Sequence, residues 1–408
     1  MAFKLYLAFL MLELGKTVSG ATLRQHKDSI RCHTFDDSRS AHLLYMGNSS
    51  SGGLPILQYE VSELISFDSE FELRTLDPEG IIFFGDIGGQ QNFFLLAVVK
   101  GHLSVQTSTG DGGVLISDGP FISDGQWKKI MVKKLEGAVS VSVDGHPGVI
   151  VKQSQESQRA EGSNGLLRIV IGNSISGSGA LLGLNPMLDG CMRRWDWVKQ
   201  DSSVLLRTLQ ESPSQRCWVD IAPGAYFPGN GSVGFSPLML WNASWLADGS
   251  SWRLSVELAL RPVSDSGTLF TVVDSDGTRV ISLSLHRPTW EIVLHHQAKE
   301  LSFPPTTCSG GVLVLQLEVG AGQVVMVLNE KPVMMTLKEE DFQELKSVWS
   351  QSGSMVYLGG EPDGSSSLHG CMQVKVQGVH VDLDQASSRL GDIHSHSCPA
   401  SLDIRDGK

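Results

Sequence analysis

The sequence predicts an all-β chain made of two tandem jelly-roll β-sandwiches. Three observations carry that expectation. Short segments whose apolar residues alternate at period two recur along the chain. Turns rich in Gly, Asp and Pro separate them. The second half then repeats the grammar of the first. Long amphipathic helical patterns are scarce, and 44 glycines accompany the turns. A length of 408 residues leaves room for two or three domains, each with its own core.

The N-terminus reads as a secretory signal. Lys4 supplies a positive start, Leu5 to Leu12 form an unbroken apolar run ending at Glu13, and Val18-Ser19-Gly20 offers a small-residue cleavage site. That run is too short to span a bilayer and no later stretch approaches the required length. Residues 1–20 are therefore expected to be removed, and the chain to be secreted and extracellular, without membrane insertion. Residues 21–56 lack periodicity and are rich in Ser, His and charge, which predicts an extended segment.

The first domain is expected over 57–217. Phe71 and Leu73 share one face while Glu72 and Arg74 take the other, the pattern of a half-buried strand. Ser69 places a lone hydroxyl at the edge of the apolar face. Asp77-Pro78-Glu79-Gly80 ends the run, Pro presetting a turn position and Gly accepting positive φ. Ile81 to Phe84 restart as a short apolar strand. Phe93 to Val99 is almost continuously apolar, suited to a strand covered on both faces. Leu103, Val105 and Thr107 alternate with polar residues, Asp124-Gly125-Gln126-Trp127 turns the chain into Ile130 and Val132, and Asp144-Gly145 closes the alternating run of Val139, Val141 and Val143. Leu166 to Ile171 is a further strand, and Leu188-Asp189-Gly190-Cys191-Met192 precedes Cys217.

The second domain, 225–398, echoes these landmarks. Leu368-His369-Gly370-Cys371-Met372 stands 180 residues after its counterpart, and Gly322 to Pro332 mirrors Gly137 to Pro147. Pro223-Gly224 marks the joint, and 399–408 is left as a tail. Six cysteines suit an oxidising compartment. Cys398 follows Cys371 by 27 positions as Cys217 follows Cys191 by 26, so the repeat implies bridges Cys191–Cys217 and Cys371–Cys398. Cys32 and Cys308 stay outside it, paired or free. Asn48, Asn230 and Asn242 open acceptor sequons for N-glycans, consistent with a secreted glycoprotein.

The net charge of −12 argues against nucleic acid as a partner. No GxSxG elbow, HExxH or P-loop is present, so an enzyme is not expected. His394-Ser395-His396-Ser397-Cys398 is the densest metal-like cluster, but the repeat commits Cys398 to a disulfide. His295 and His296 are adjacent on a strand-like run and point to opposite faces, which argues against joint ligation. Asp77 and Glu79 are hard oxygen donors two residues apart on a tight turn, a pattern suited to calcium. Lys128, Lys129, Lys133 and Lys134 form a basic run, read as long lysines on a solvated strand face rather than an adhesion site.

Phe71 to Asp86, FELRTLDPEGIIFFGD, resembles the opening hairpin of a laminin G-like module, and within that family it is most similar to the sex hormone-binding globulins. The resemblance implies two tandem laminin G-like domains, with a flat apolar steroid held between the sheets of the first. Burying roughly 300–400 Å² of such a ligand at about 25 cal/mol per Å² yields on the order of 8–10 kcal/mol before costs. By resemblance Ser69 hydrogen-bonds the ring A oxygen, Phe94 packs on the steroid body, and Val132, with Lys134 or Leu135, lies on a lining strand. At the far end Asn92 replaces the family's acidic residue for the 17-hydroxyl, and Thr109 replaces a second polar contact. The resemblance also implies one structural calcium, held by Asp77, Glu79 and the backbone carbonyl of Met187. The second module, with Val263 to Gly267 at the equivalent hairpin, lacks the acidic pair. The family's histidine-based zinc site near the pocket is not expected either, because its histidines are missing.

The expected function is therefore that of a secreted carrier of testosterone, dihydrotestosterone or estradiol, a homodimer through its first domain. The alternative of a different class is a calcium-dependent adhesion or receptor-binding module of the protein S type.

Overall fold

The computed structural model describes residues 42–47, 55–87, 93–108, 114–135, 137–152, 165–173, 184–211, 217–240, 252–287, 290–303 and 312–400. The expected signal segment, Cys32, Cys308, Asn48, Asn92, Thr109 and Asn242 lie outside the described residues. No helix among the described residues is long and apolar enough to cross a membrane.

Among the described residues twelve strands precede residue 200: β1 (Leu44–Tyr45), β2 (Ile56–Glu60), β3 (Ser69–Thr75), β4 (Gly80–Ile87), β5 (Phe93–Val99), β6 (His102–Ser108), β7 (Val114–Phe121), β8 (Lys128–Leu135), β9 (Ala138–Val143), β10 (His146–Lys152), β11 (Leu166–Ile171) and β12 (Gly190–Asp196). They form two six-stranded sheets, ordered β1-β12-β3-β8-β9-β10 and β2-β11-β4-β5-β6-β7. Every pairing in them is antiparallel. β1 draws residues 44–45 of the expected extended segment into the first sheet, pairing Tyr45 with Cys191.

Burial follows the pleat. Phe71 and Leu73 of β3 face inward and are sealed from solvent, as is Ile130 opposite Phe71 on β8. Leu95 to Val98 of β5 are buried on both faces. Their outer face carries a second small cluster, Ile81, Phe84, Leu95 and Ala97, packed against Phe93 and Leu184. Asp144 and Gly145 adopt φ of 52° and 80° between β9 and β10, the two positive values that a tight hairpin matching the strand twist requires.

β3 departs from the half-buried expectation at one position. Arg74 is only 5 % exposed. Its guanidinium donates to the carbonyls of Trp218 and Val219 and lies 4.7 Å from the centre of the Trp127 ring, against which Arg193 also packs at 4.0 Å. The chain leaving the first sandwich therefore covers the polar face of β3, and the charge is satisfied by carbonyls and a π surface.

Residues beyond 220 repeat the architecture in two seven-stranded sheets. Leu254–Pro262 pairs with both Leu313–Gly320 and His369–Val376, and its burial alternates at strict period two. Gly267–Val273, at the centre of the facing sheet, is buried throughout. A helix, Glu339–Ser350, seats Phe342, Leu345, Val348 and Trp349 on this core. The chain is thus all-β in architecture, with helices only as accessories. Cys191 is bonded to Cys217 and Cys371 to Cys398. Ile221–Pro223 pairs with Ser397–Pro399, so the C-terminal strand returns to the connection between the sandwiches.

Candidate functional site: an intersheet cavity and an acidic turn

A cavity of about 140 Å³ opens between the two sheets of the first sandwich, at the end where β3 starts and β4 finishes. Register decides its walls. Ser69 pairs with Val132, both face inward, and both line the cavity together with Phe94. Two residues further along β8, Lys134 also lines it, whereas Leu135 is 44 % exposed and does not. The open choice between those two neighbours is settled by the period-two pleat.

Ser69 begins β3 and is 6 % exposed. Its Oγ accepts a hydrogen bond from the Val198 amide at 3.0 Å. That leaves the hydroxyl proton available to a ligand oxygen and fixes the rotor. The apolar floor is aromatic. Phe83 stacks with Phe94 at 5.7 Å and meets the edge of Trp197 at 5.1 Å, and Trp197 stacks on Phe71 at 5.2 Å. At the far side, Thr107 donates to the Phe93 carbonyl and Ser108 accepts from the Phe93 amide, pinning the start of β5 to the end of β6.

One acidic residue on the cavity wall was not anticipated. Asp86 is 1 % exposed and is gripped in a two-pronged ion pair by Arg168, with Nε 2.9 Å from Oδ1. The carboxylate ends the FFGD stretch, but its partner lies on β11 and nothing local marks the pair.

The acidic turn between β3 and β4 forms a second constellation. Asp77 Oδ1 accepts from the Glu79 amide at 2.9 Å and Oδ2 from the Asp189 amide at 2.8 Å. Glu79 Oε1 accepts from the Asn185 amide, so the segment carrying Met187 is tied to the turn. A β-carbon on Gly80 would collide with the Met187 carbonyl oxygen, so that carbonyl packs against the turn that carries Asp77 and Glu79.

The second sandwich also reaches this turn. His396 Nε2 lies 3.0 Å from Asp384 Oδ2, 3.4 Å from Asp77 Oδ1 and 3.4 Å from Asp382 Oδ1. The ligating atoms of Asp77, Asp384 and His396 fall within 4.8 Å of one another. Burial pushes the Asp77 carboxyl well above its ordinary value, a cost that any cation at the site relieves. Burial alone would lower the His396 imidazole, but its hydrogen bonds to Asp382 and Asp384 and the charge of Asp77 push it up to about 11. The carboxylate oxygens suit a hard dication, whereas the protonated His396 among them offers no lone pair and would have to give way to a metal ion. Nearby, Asp189 accepts from the amides of His396 and Ser397 and from the Ser397 hydroxyl. His394 packs on Tyr45 and Trp218 at 4.3 Å each. The His394–His396 cluster is visible in the sequence, and Asp382 and Asp384 stand close to it in the chain; its partners on the first sandwich, Asp189 and Asp77, lie more than two hundred positions away and nothing local marks them.

The basic run does not gather a single-sign field. Lys128 pairs with Asp124 at 2.7 Å and Lys129 with Glu70 at 3.1 Å. Lys134 Nζ sits 4.7 Å above the Phe67 ring. His296 is buried with Nδ1 on the Val280 carbonyl, while His295 points to the other face. Asn230 is exposed on a turn, as a glycan acceptor must be.

Comparison with known proteins agrees with this architecture. A profile of the Laminin G domain matches residues 73–202. Sex hormone-binding globulin of Rattus norvegicus is 30 % identical over 402 residues, covering 98 % of this chain and 95 % of the relative. Vitamin K-dependent protein S of Oryctolagus cuniculus is 29 % identical over 409 residues, but the match spans 93 % of this chain and only 61 % of that protein. Among solved structures, domains LG4-5 of the mouse laminin alpha1 chain superpose with a TM-score of 0.62 at 18 % identity, covering 90 % of this chain and 96 % of that one, a likeness of fold.

Proposed function

The chain belongs to the sex hormone-binding globulin family of laminin G-like proteins, and from that premise we propose that it is a secreted, non-catalytic carrier of sex steroids. The steroid lies in the intersheet cavity of the first module, with module limits at 57–217 and 225–398. The observation that carries this reading is the cavity itself. A slot between two sheets, lined by Phe83, Phe94 and Val132 and edged by the Ser69 hydroxyl, has the form that a flat apolar ligand with a terminal oxygen needs. Ser69 donates to a ring A ketone, Phe94 and Val132 pack on the ring system, and Asn92 and Thr109 serve the opposite oxygen. As a cavity of about 140 Å³ is smaller than a steroid, binding includes parting of the lining aromatic side chains or of the sheet edges.

Calcium would be held by the carboxylates of Asp77 and Glu79 and the carbonyl of Met187, where it would neutralise a buried acidic turn and order it. Homodimerisation is assigned to the first module. β7 is an edge strand of its sheet and exposes Val114, Leu115, Ile116 and Phe121 at 41, 45, 62 and 52 %. An unpaired apolar edge is a ready template for a second copy.

Equilibrium binding of labelled testosterone and estradiol to wild type and Ser69→Ala tests the carrier reading. The wild type is expected to bind at nanomolar levels and the variant about ten-fold or more weakly, since a lost hydrogen bond to a buried oxygen costs about 1–3 kcal/mol. No saturable binding by the wild type would overturn the carrier reading and favour a receptor-binding role of the protein S type.

A further inference from the structure

We infer that the second sandwich carries a binding site for a transition-metal dication of the zinc class, held by the imidazoles of His286 and His295. The site lies apart from the steroid cavity and from the acidic turn, and stands independently of the carrier reading.

Its basis is the register of two paired strands, Arg279–His286 and Glu291–His296. Ile281, Leu283 and Leu285 point into the core with Ile292 and Leu294, so Ser284, His286 and His295 take the opposite, outer face. On that face His295 stands opposite Ser282, four residues before His286, a stagger of about 13 Å along the strand. The two ring centres are nevertheless only 5.4 Å apart. Each imidazole therefore leans toward the other over the Ser284–Val293 pair, with the distal edges that carry Nε2 facing one another. The lean is visible at His286, whose Nε2 lies 2.9 Å from Ser284 Oγ. Two imidazoles on one tetrahedral zinc, with Zn–N of about 2.0–2.1 Å, hold their ring centres about 5 Å apart. The spacing of this pair matches that of a metal-bridged one.

The surroundings suit such an ion. Both rings and Ser284 line an open cavity of about 350 Å³, which leaves room for water at the remaining coordination positions. His295 Nδ1 lies 3.8 Å from Oε2 of Glu300, the residue paired with it on the next strand. A carboxylate on that side favours the Nδ1–H tautomer and leaves the Nε2 lone pair to a metal. The Ser284 hydroxyl is a rotor, and turning it frees His286 Nε2 at the loss of one neutral hydrogen bond. Two arginines share the wall, but Arg279 is paired with Glu361 at 3.2 Å and Arg287 with Asp265 at 3.0 Å, so neither is an uncompensated positive charge. Imidazole donors select zinc, copper or nickel over calcium and magnesium. His296, the neighbour of His295 in the sequence, is turned into the core and takes no part.

The test titrates zinc chloride into the full chain, with calcium in excess to mask the acidic turn, and compares wild type with His286→Gln, His295→Gln and Glu300→Gln. The wild type is expected to take up zinc saturably without competition from calcium. Each histidine variant is expected to lose about ten-fold or more in zinc affinity and Glu300→Gln about ten-fold. Unfolding midpoints should stay close to wild type, because all three side chains stand on the outer face. Zinc should also shift the side-chain NMR resonances of His286 and His295 while leaving those of His296 in place. Absence of zinc uptake by the wild type would overturn the inference. Zinc uptake that both histidine variants retain in full would overturn it too, since the metal would then sit elsewhere, with the His394–His396 cluster as the alternative.

Discussion

Ser397 donates both its amide and its hydroxyl to the buried carboxylate of Asp189, at 2.9 and 2.8 Å, across 208 positions of sequence. Asp189 belongs to the segment that enters β12 of the first sandwich; Ser397 belongs to the last strand of the second. With the His396 amide 2.8 Å from the same carboxylate, one acidic side chain satisfies three donors that no strand ladder serves. Burial would raise its pKa, but the hydrogen bond and charge of His394 and the His396 amide hold it well below the ordinary carboxylate value.

Replacing Asp189 with Ala strands those donors in a buried junction. We expect a loss of about 3 kcal/mol or more, since each orphaned buried group costs roughly 1–3 kcal/mol. Chemical unfolding should show it as an earlier transition. An unchanged midpoint in Asp189→Ala would mean that water replaces the carboxylate.

Calcium uptake should depend on the acidic turn. Isothermal titration of the wild type is expected to give one site, abolished in Asp77→Ala. Because Asp77 and Asp384 face the same imidazole, Asp384→Asn is expected to weaken uptake without abolishing it. Heat of binding that persists in Asp77→Ala would place the metal elsewhere.

Ser69→Ala should have a structural cost separate from its effect on ligand. Removing Oγ leaves the Val198 amide without its acceptor, so stability should fall by about 1–2 kcal/mol even in ligand-free protein. Measuring unfolding beside steroid affinity distinguishes the two effects. A Ser69→Ala protein as stable as wild type would argue against the observed hydrogen bond.

The Asp86–Arg168 pair offers a further check. Arg168 donates to both oxygens of a carboxylate that is 1 % exposed. Arg168→Met would leave that charge uncompensated, at a cost of about 3–5 kcal/mol, whereas the double replacement Asp86→Asn with Arg168→Met should recover much of it. Additive losses in the double variant would show that the two side chains act independently.

Assembly through β7 is tested by charge. Ile116→Lys places an ammonium on an exposed edge without touching the core. Sedimentation should report a dimeric wild type and a monomeric variant with unaltered unfolding. A wild type that sediments as a monomer would remove the dimer from the reading.

Much of this molecule was legible in one dimension. Period-two alternation located Phe71 and Leu73 on an inner face, an unbroken apolar run marked β5 as covered on both sides, and the recurring Gly-Cys-Met with its later cysteine assigned both bridges. These features are local, or repeat at a fixed interval, so hydropathy and spacing suffice to find them. The helix Glu339–Ser350 escaped notice because its apolar residues interrupt a strand-rich background over only three turns.

What only the tertiary structure decided is which distant side chains meet. Lys134 rather than Leu135 faces the cavity because the pairing of Ser69 with Val132 sets the pleat. Arg74 is buried because the chain at Trp218 folds back over β3. Asp77 and His396 converge because the C-terminal strand returns to the joint between the sandwiches. Residue type and periodicity determine which face of a strand is apolar. They carry no information on which polar groups two packed sandwiches bring into contact, since that depends on sheet register and docking over separations of hundreds of residues.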